Sequence, residues 1–181
     1  MKKKLLVLIS FCFFLVISCG NKEEQKIRKD FDTTMGIMRT GDYNKVKKLS
    51  SNLNEEEFSI IEEGFKRIKY EIKKVEINGD KAQMDLEVNY PSILSVMPEY
   101  YSQIENQSKS IENKNITDEQ ARQEIIKFTK SFFAQKFKEN KVSFAHENLK
   151  INYVKVENKW LLNANENKDI IKLFSLGMAQ E

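Results

Sequence analysis

The stretch YEIKKVEINGDKAQMDLEVNY (residues 70–90) decides the fold. From Ile68 apolar residues recur at every second position, Ile68, Tyr70 and Ile72, and then the parity slips so that Val75 and Ile77 carry on along the same side. One extra residue near Lys73-Lys74 explains the slip as a β-bulge. Asn78-Gly79-Asp80 reads as a tight turn, after which Ala82, Met84, Leu86, Val88 and Tyr90 alternate without a break. Asp85, Glu87 and Asn89 point the other way, so this hairpin is apolar on one face only and needs a layer packed against that face.

The segments before it supply such a layer. Ile27, Phe31, Met35 and Met38 recur at helical spacing, Gly41 and Asp42 read as a helix stop followed by the next cap, and Tyr43, Val46 and Leu49 mark a second, shorter helix. Asn54 with Glu57 forms a capping pair for a third helix with Phe58, Ile61, Phe65 and Ile68 on one face.

Beyond the hairpin, Pro91 is expected to end the strand and Pro98 to open a helix carrying Tyr101, Ile104, Ser108 and Ile111. Residues 112–116 are a polar connector. Thr117 and Gln120 make a second capping box, opening a helix to about Glu139 with Ala121, Ile125, Phe128 and Phe132 on one stripe and Ile126, Phe133 and Phe137 beside it. A strand over 142–156, a turn through Glu157-Asn158-Lys159 and a return along Trp160-Leu161-Leu162 give a second hairpin, and Ile170, Ile171 and Phe174 mark a last short helix. The fold class is α+β, with helices packed on one face of an antiparallel sheet, in a single domain over residues 27–181.

At the other end of the chain, Lys2, Lys3 and Lys4 precede an apolar run from Leu5 to Ile17. This is the charged and apolar pattern of a secretory leader, and it is shorter than the ~20 apolar residues that a membrane-spanning helix needs. Val16-Ile17-Ser18-Cys19 resembles the lipobox of bacterial lipoproteins. The resemblance implies that residues 1–18 are a cleaved signal peptide and that Cys19 becomes a diacylated N-terminus, its two acyl chains holding the protein on the cell envelope. Residues 19–26 would be a short lipidated tether. Gly20, rather than aspartate, follows the cysteine, which favours the outer membrane in an organism that has two.

Loss of the leader takes the 30 basic residues down to 27, level with the 27 acidic ones. A net charge of zero gives no support to a nucleic-acid partner. On that resemblance Cys12 would leave with the leader and Cys19 would be lipidated, so the folded part would have no thiol for a disulfide, a nucleophile or a zinc site. An ordinary hydrophobic core must hold it, and a domain of this length buries about 68 to 70% of its unfolded surface.

Taken together, FDTTMGIMRTGDYNKVKKLSS (31–51), YEIKKVEINGDKAQMDLEVNY (70–90) and INYVKVENKWLLN (151–163) resemble the nuclear transport factor 2-like (cystatin-like) superfamily, in particular bacterial lipoproteins of unknown function that carry this domain behind a lipobox. The resemblance implies a cone of helices against a curved sheet, with a pocket between the two in many members. The helices over 98–139 exceed what a minimal member carries.

No metal, cofactor or catalytic signature stands out. His146 is the lone histidine and adjoins Glu147, but strand neighbours point to opposite faces. Asp42 is explained as a cap, and Asp30 and Asp32 as the solvated face of a helix. The aromatic set Tyr100, Tyr101, Phe128, Phe132, Phe133 and Phe137 has two readings: core, or the lining of an apolar pocket or partner surface. The leading expectation is a non-catalytic module, membrane-bound through Cys19, that binds a protein or a small amphipathic ligand. One alternative is an enzyme of this superfamily with an acid or base in its pocket, Asp or Tyr working with His146. Another is a structural helper that docks a partner through the 98–139 helices.

Overall fold

The first hairpin forms with the register its alternation predicts. In the computed structural model, which describes residues 22–49, 53–163 and 166–178, β1 (Lys69–Asn78) pairs with β2 (Lys81–Ser92) from Lys69↔Asn89 to Asn78↔Lys81. Ile72↔Leu86 is followed by Lys74↔Asp85, which leaves Lys73 as the bulged residue. The insertion keeps Tyr70, Ile72, Val75 and Ile77 opposite Val88, Leu86, Met84 and Ala82, so one face stays apolar through the kink. Gly79 takes the first corner of the turn at φ 61°, a conformation open to glycine at little cost.

The second hairpin, β3 (Ser143–Val156) and β4 (Lys159–Leu162), turns through Glu157 and Asn158, both at positive φ. β3 pairs with the full length of β2, from Lys81↔Val154 to Ser92↔Ser143, giving a curved antiparallel sheet in the order β1-β2-β3-β4. β2 therefore runs through Pro91, where the sequence predicts its end. Pairing with β1 stops at Asn89, so the missing N–H of Pro91 falls where there is no β1 partner to receive it.

Helices cover the apolar face. α1 spans 22–39, and its Ile27, Phe31, Met35 and Met38 are buried, Phe31 meeting the Tyr70 ring edge-on at 5.2 Å. α2 (Tyr43–Val46) is capped by Asp42, and Leu49 lies outside it and is exposed. α3 (Glu55–Phe65) has the predicted Asn54–Glu57 capping box and buries Phe58, Ile61 and Phe65. After a 3₁₀ turn at Ile93–Val96 come α4 (Met97–Glu112) and α5 (Asp118–Lys138), the latter with its Thr117–Gln120 box. α5 packs on α3 and on α4, and two neighbours explain why its apolar stripe is so wide. α6 (Lys168–Phe174) lies on β3 and buries Ile170 and Leu173, leaving Ile171 exposed.

Two findings revise the expectations from sequence. Residues 22–26, expected in the tether, are helical. The Glu23 carboxylate accepts the Trp160 indole N–H at 2.8 Å and pairs with Lys155 and Lys26, so a tertiary contact holds a turn that has no apolar stripe to announce it. The leader over 1–18 and Cys19 lie outside the described residues. On α4 the buried tyrosine is Tyr100, whose hydroxyl meets that of Thr129 at 3.0 Å, whereas Tyr101 is 61% exposed.

Side chains cover parts of the sheet's edges. From α1, Arg28 donates to the Ile72 carbonyl and Arg39 to the Ile68 carbonyl, along β1. Where β4 stops short of β3, Asn167 takes the place of a strand: its Oδ1 accepts from Asn152 N at 2.7 Å and its Nδ2 donates to the Asn152 and Asn163 carbonyls. Asp169 accepts from Lys150 N at 2.9 Å one pair further on. Asn167 is fully buried, so Asn167→Ala leaves backbone groups that water does not reach and is expected to cost about 1–3 kcal/mol. Urea unfolding measures this, with Asn167→Asp, which cannot donate, expected to fall in the same range.

Candidate functional site

The inner face of β3 reads Ala145, Glu147, Leu149, Ile151 and Tyr153, an apolar series with one carboxylate in it. Glu147 lies opposite Val88, where the helical cover has given way to α6. Two groups converge on it. Tyr90 donates its hydroxyl to Oε1 at 3.1 Å, and Lys172 of α6 reaches Oε1 at 2.8 Å and Oε2 at 2.9 Å. These residues back a cleft of about 650 Å³ between α6 and the far ends of β2 and β3, with Ser92, Leu94, Ala145, Asp169 and Ile171 on its walls. Leu94 and Ile171 are exposed, giving an apolar rim over a polar floor.

Electrostatics fix the protonation of that floor. Burial, reinforced by the charge and hydrogen bond of Glu147, pushes the Tyr90 phenol up to about 12. The hydrogen bond to Glu147 raises the Lys172 ammonium. At neutral pH the site thus holds a neutral phenol and an ammonium on one carboxylate. With the one Tyr90 proton committed to Glu147, such a set leaves the remaining ammonium protons of Lys172 for a bound polar group and presents no ready nucleophile.

His146 is on the opposite face of the sheet, its side chain 63% exposed and Nε2 3.4 Å from Glu87. It has no route to the cleft, so the pairing of His146 with a pocket acid is not formed. The aromatic residues instead come together as a cluster between α4 and α5. The Tyr100 ring lies 5.4 Å from Phe132 and 5.2 Å from Phe133, which meet each other edge-on, and Phe128 stacks at 6.5 Å. Phe137 turns away to sit under the Arg67 guanidinium at 4.3 Å. Tyr100, Phe132, Phe133 and Phe137 are buried, Phe128 is half-buried, and only Tyr101 presents its ring to solvent.

Sequence reasoning passed over Tyr90, Glu147 and Lys172. Tyr90 ended an apolar alternation and was indistinguishable from core. Glu147 did leave a signal: it is the one acid at an inward parity of a strand whose inner face is apolar on either side of it, at Ala145, Leu149, Ile151 and Tyr153. Among the described residues no three His, Cys, Asp or Glu side chains are grouped to hold a metal ion, and no helix is long and apolar enough to cross a membrane.

No family model, curated protein or solved structure matches this chain.

The phenol shift can be measured directly. Tyrosinate absorbance of the native protein should include a component ionising near pH 12, to which Tyr70 and Tyr90 both contribute, and its amplitude should fall by one tyrosine in Tyr90→Phe. In Glu147→Gln the negative charge opposing tyrosinate is gone, so the Tyr90 component should move down toward, without reaching, the ordinary phenol value near 10.

Proposed function

We propose that this protein is a lipid-anchored binding module of the bacterial cell envelope, similar to nuclear transport factor 2-like lipoproteins, and that the cleft under α6 takes a small amphipathic ligand. The observation that carries this reading is the division of the cleft into two chemistries. An apolar portion of ligand would lie against Leu94, Ala145 and Ile171, while its polar group meets Ser92 and Lys172. Concave sites that orient a ligand by a few polar groups on an apolar wall are the ordinary form of small-molecule pockets. Attachment to the membrane rests on the lipobox-like Val16–Cys19 segment.

Binding is favoured over catalysis because the Glu147 carboxylate is already engaged by Tyr90 and Lys172, and the phenol stays protonated across the physiological range. A second reading, docking of a protein partner through the 98–139 helices, draws on exposed Tyr101. Ala145 separates the two, since it lines the cleft and is remote in sequence from α4 and α5.

With anilinonaphthalene sulfonate as probe, the native protein should show saturable fluorescence enhancement. Ala145→Phe, which fills the cleft, should weaken it by about tenfold or more with little change in melting temperature. Equal probe binding by the two proteins would overturn the assignment of the cleft. Loss of a captured partner in Tyr101→Ala, with probe binding intact, would favour the helical surface.

A further inference from the structure

Three parts of the chain meet at the end of the sheet opposite the cleft. The first turn of α1 is held there by Glu23, which bonds Trp160 and pairs with Lys155 at 3.1 Å. The β1–β2 turn is held by the Asp80 carbonyl, which accepts from Lys155 N at 2.8 Å. The third part is the β3–β4 turn itself. On the outer face of the sheet at this end, Val154 pairs with Leu161 and Val156 with Lys159. Val156 is 47% and Leu161 48% exposed, with Val154 half-buried between them. Further along the same face the residues turn polar, through Asn152, Lys150, Asn148 and His146 on β3 and Gln83, Asp85, Glu87 and Asn89 on β2, until Phe144 at the far end.

We infer that the β3–β4 tip, through Val154, Val156 and Leu161, is a second membrane contact that seats the domain on the phospholipid surface. The inference rests on the lipid-anchored reading and adds an orientation to it. Cys19 precedes Lys22, the first described residue of α1, by three positions, a reach of at most about 11 Å. An acylated Cys19 in the headgroup layer thus keeps the start of α1, and with it the β3–β4 tip, beside the bilayer. A tether this short presents the aliphatic side chains to lipid at high effective concentration, so a contact too weak to recruit a free protein is populated once the anchor is in place. Lys81 and Lys159 flank the patch and are matched in number by Asp80 and Glu157 at the two turns, so the contact does not require anionic lipid. The cleft lies at the other end of the sheet from this contact. Tyr90 and Ala82 are eight residues apart on β2, roughly 26 Å.

The experiment uses the full chain, processed and lipidated, in phosphatidylcholine vesicles. Lys159→Cys gives the processed chain one free thiol for a fluorophore at the tip, and His146→Cys gives one at the polar end of the same face. Brominated phosphatidylcholine should quench the label at 159 at least about threefold more than the label at 146. Adding Val156→Asp and Leu161→Asp to Lys159→Cys should markedly reduce the quenching of that label while flotation with vesicles and the melting temperature persist. Equal quenching at the two positions, or undiminished quenching after the two aspartate substitutions, would overturn the contact while leaving the anchor standing. Flotation that survives Cys19→Ser, or a mass lacking diacylglycerol, would overturn the anchor and this inference together.

Discussion

Burial of the inner face of β2 is the constraint on which the rest of the structure depends. Met84, Leu86, Val88 and Tyr90 are each no more than 1% exposed, and each aliphatic side chain hidden to that extent contributes about 1.5–3 kcal/mol. β2 lies between β1 and β3, so any register that turned these residues outward would expose the flanking strands as well. The Lys73 bulge is a consequence. It lets β1 bend over the helical layer while its apolar residues keep facing inward. α1 and α3 then have one surface to cover, and α5 packs behind α3 with α4 at its side.

What covers a sheet's face does not close its edges. Here the two problems are solved by different chemistry from different ends of the chain: guanidinium groups of α1 on the carbonyls of β1, and the carboxamide of Asn167 on the backbone of β3. The second device has a functional side. By standing in for a strand, Asn167 ties the start of α6 to β3, the helix from which Lys172 reaches Glu147, so the residue that extends the sheet also places one wall of the cleft. The site is therefore a by-product of β4 being only four residues long.

Most of the architecture was legible because its signals are local. Alternation placed both hairpins, the parity slip placed the bulge, and capping boxes at Asn54 and Thr117 placed two helix starts. The errors came where a distant partner overrides a local cue. Pro91 stays in a strand because β1 has already ended beside it, residues 22–26 are helical because Glu23 finds Trp160, and Tyr100 rather than Tyr101 turns inward because Thr129 is there to meet it. The candidate site was the least legible part. Tyr90, Glu147 and Lys172 are far apart in sequence and of ordinary types, so their meeting is a property of the register between β2 and β3 and of the position of α6. The aromatic residues of α4 and α5 carried a stronger pattern, but pattern strength reported packing density between two helices.

The arginines along β1 have a consequence at the level of many molecules. A flat, bare outer strand is a template onto which another chain can add by hydrogen bonding, and crowding on a surface multiplies such encounters. With the carbonyls of Ile68 and Ile72 already occupied and Lys73 bulging the strand, neighbouring copies find little to extend. The same two helix-borne cations that pin α1 to β1 thereby guard that edge against extension by a neighbouring copy.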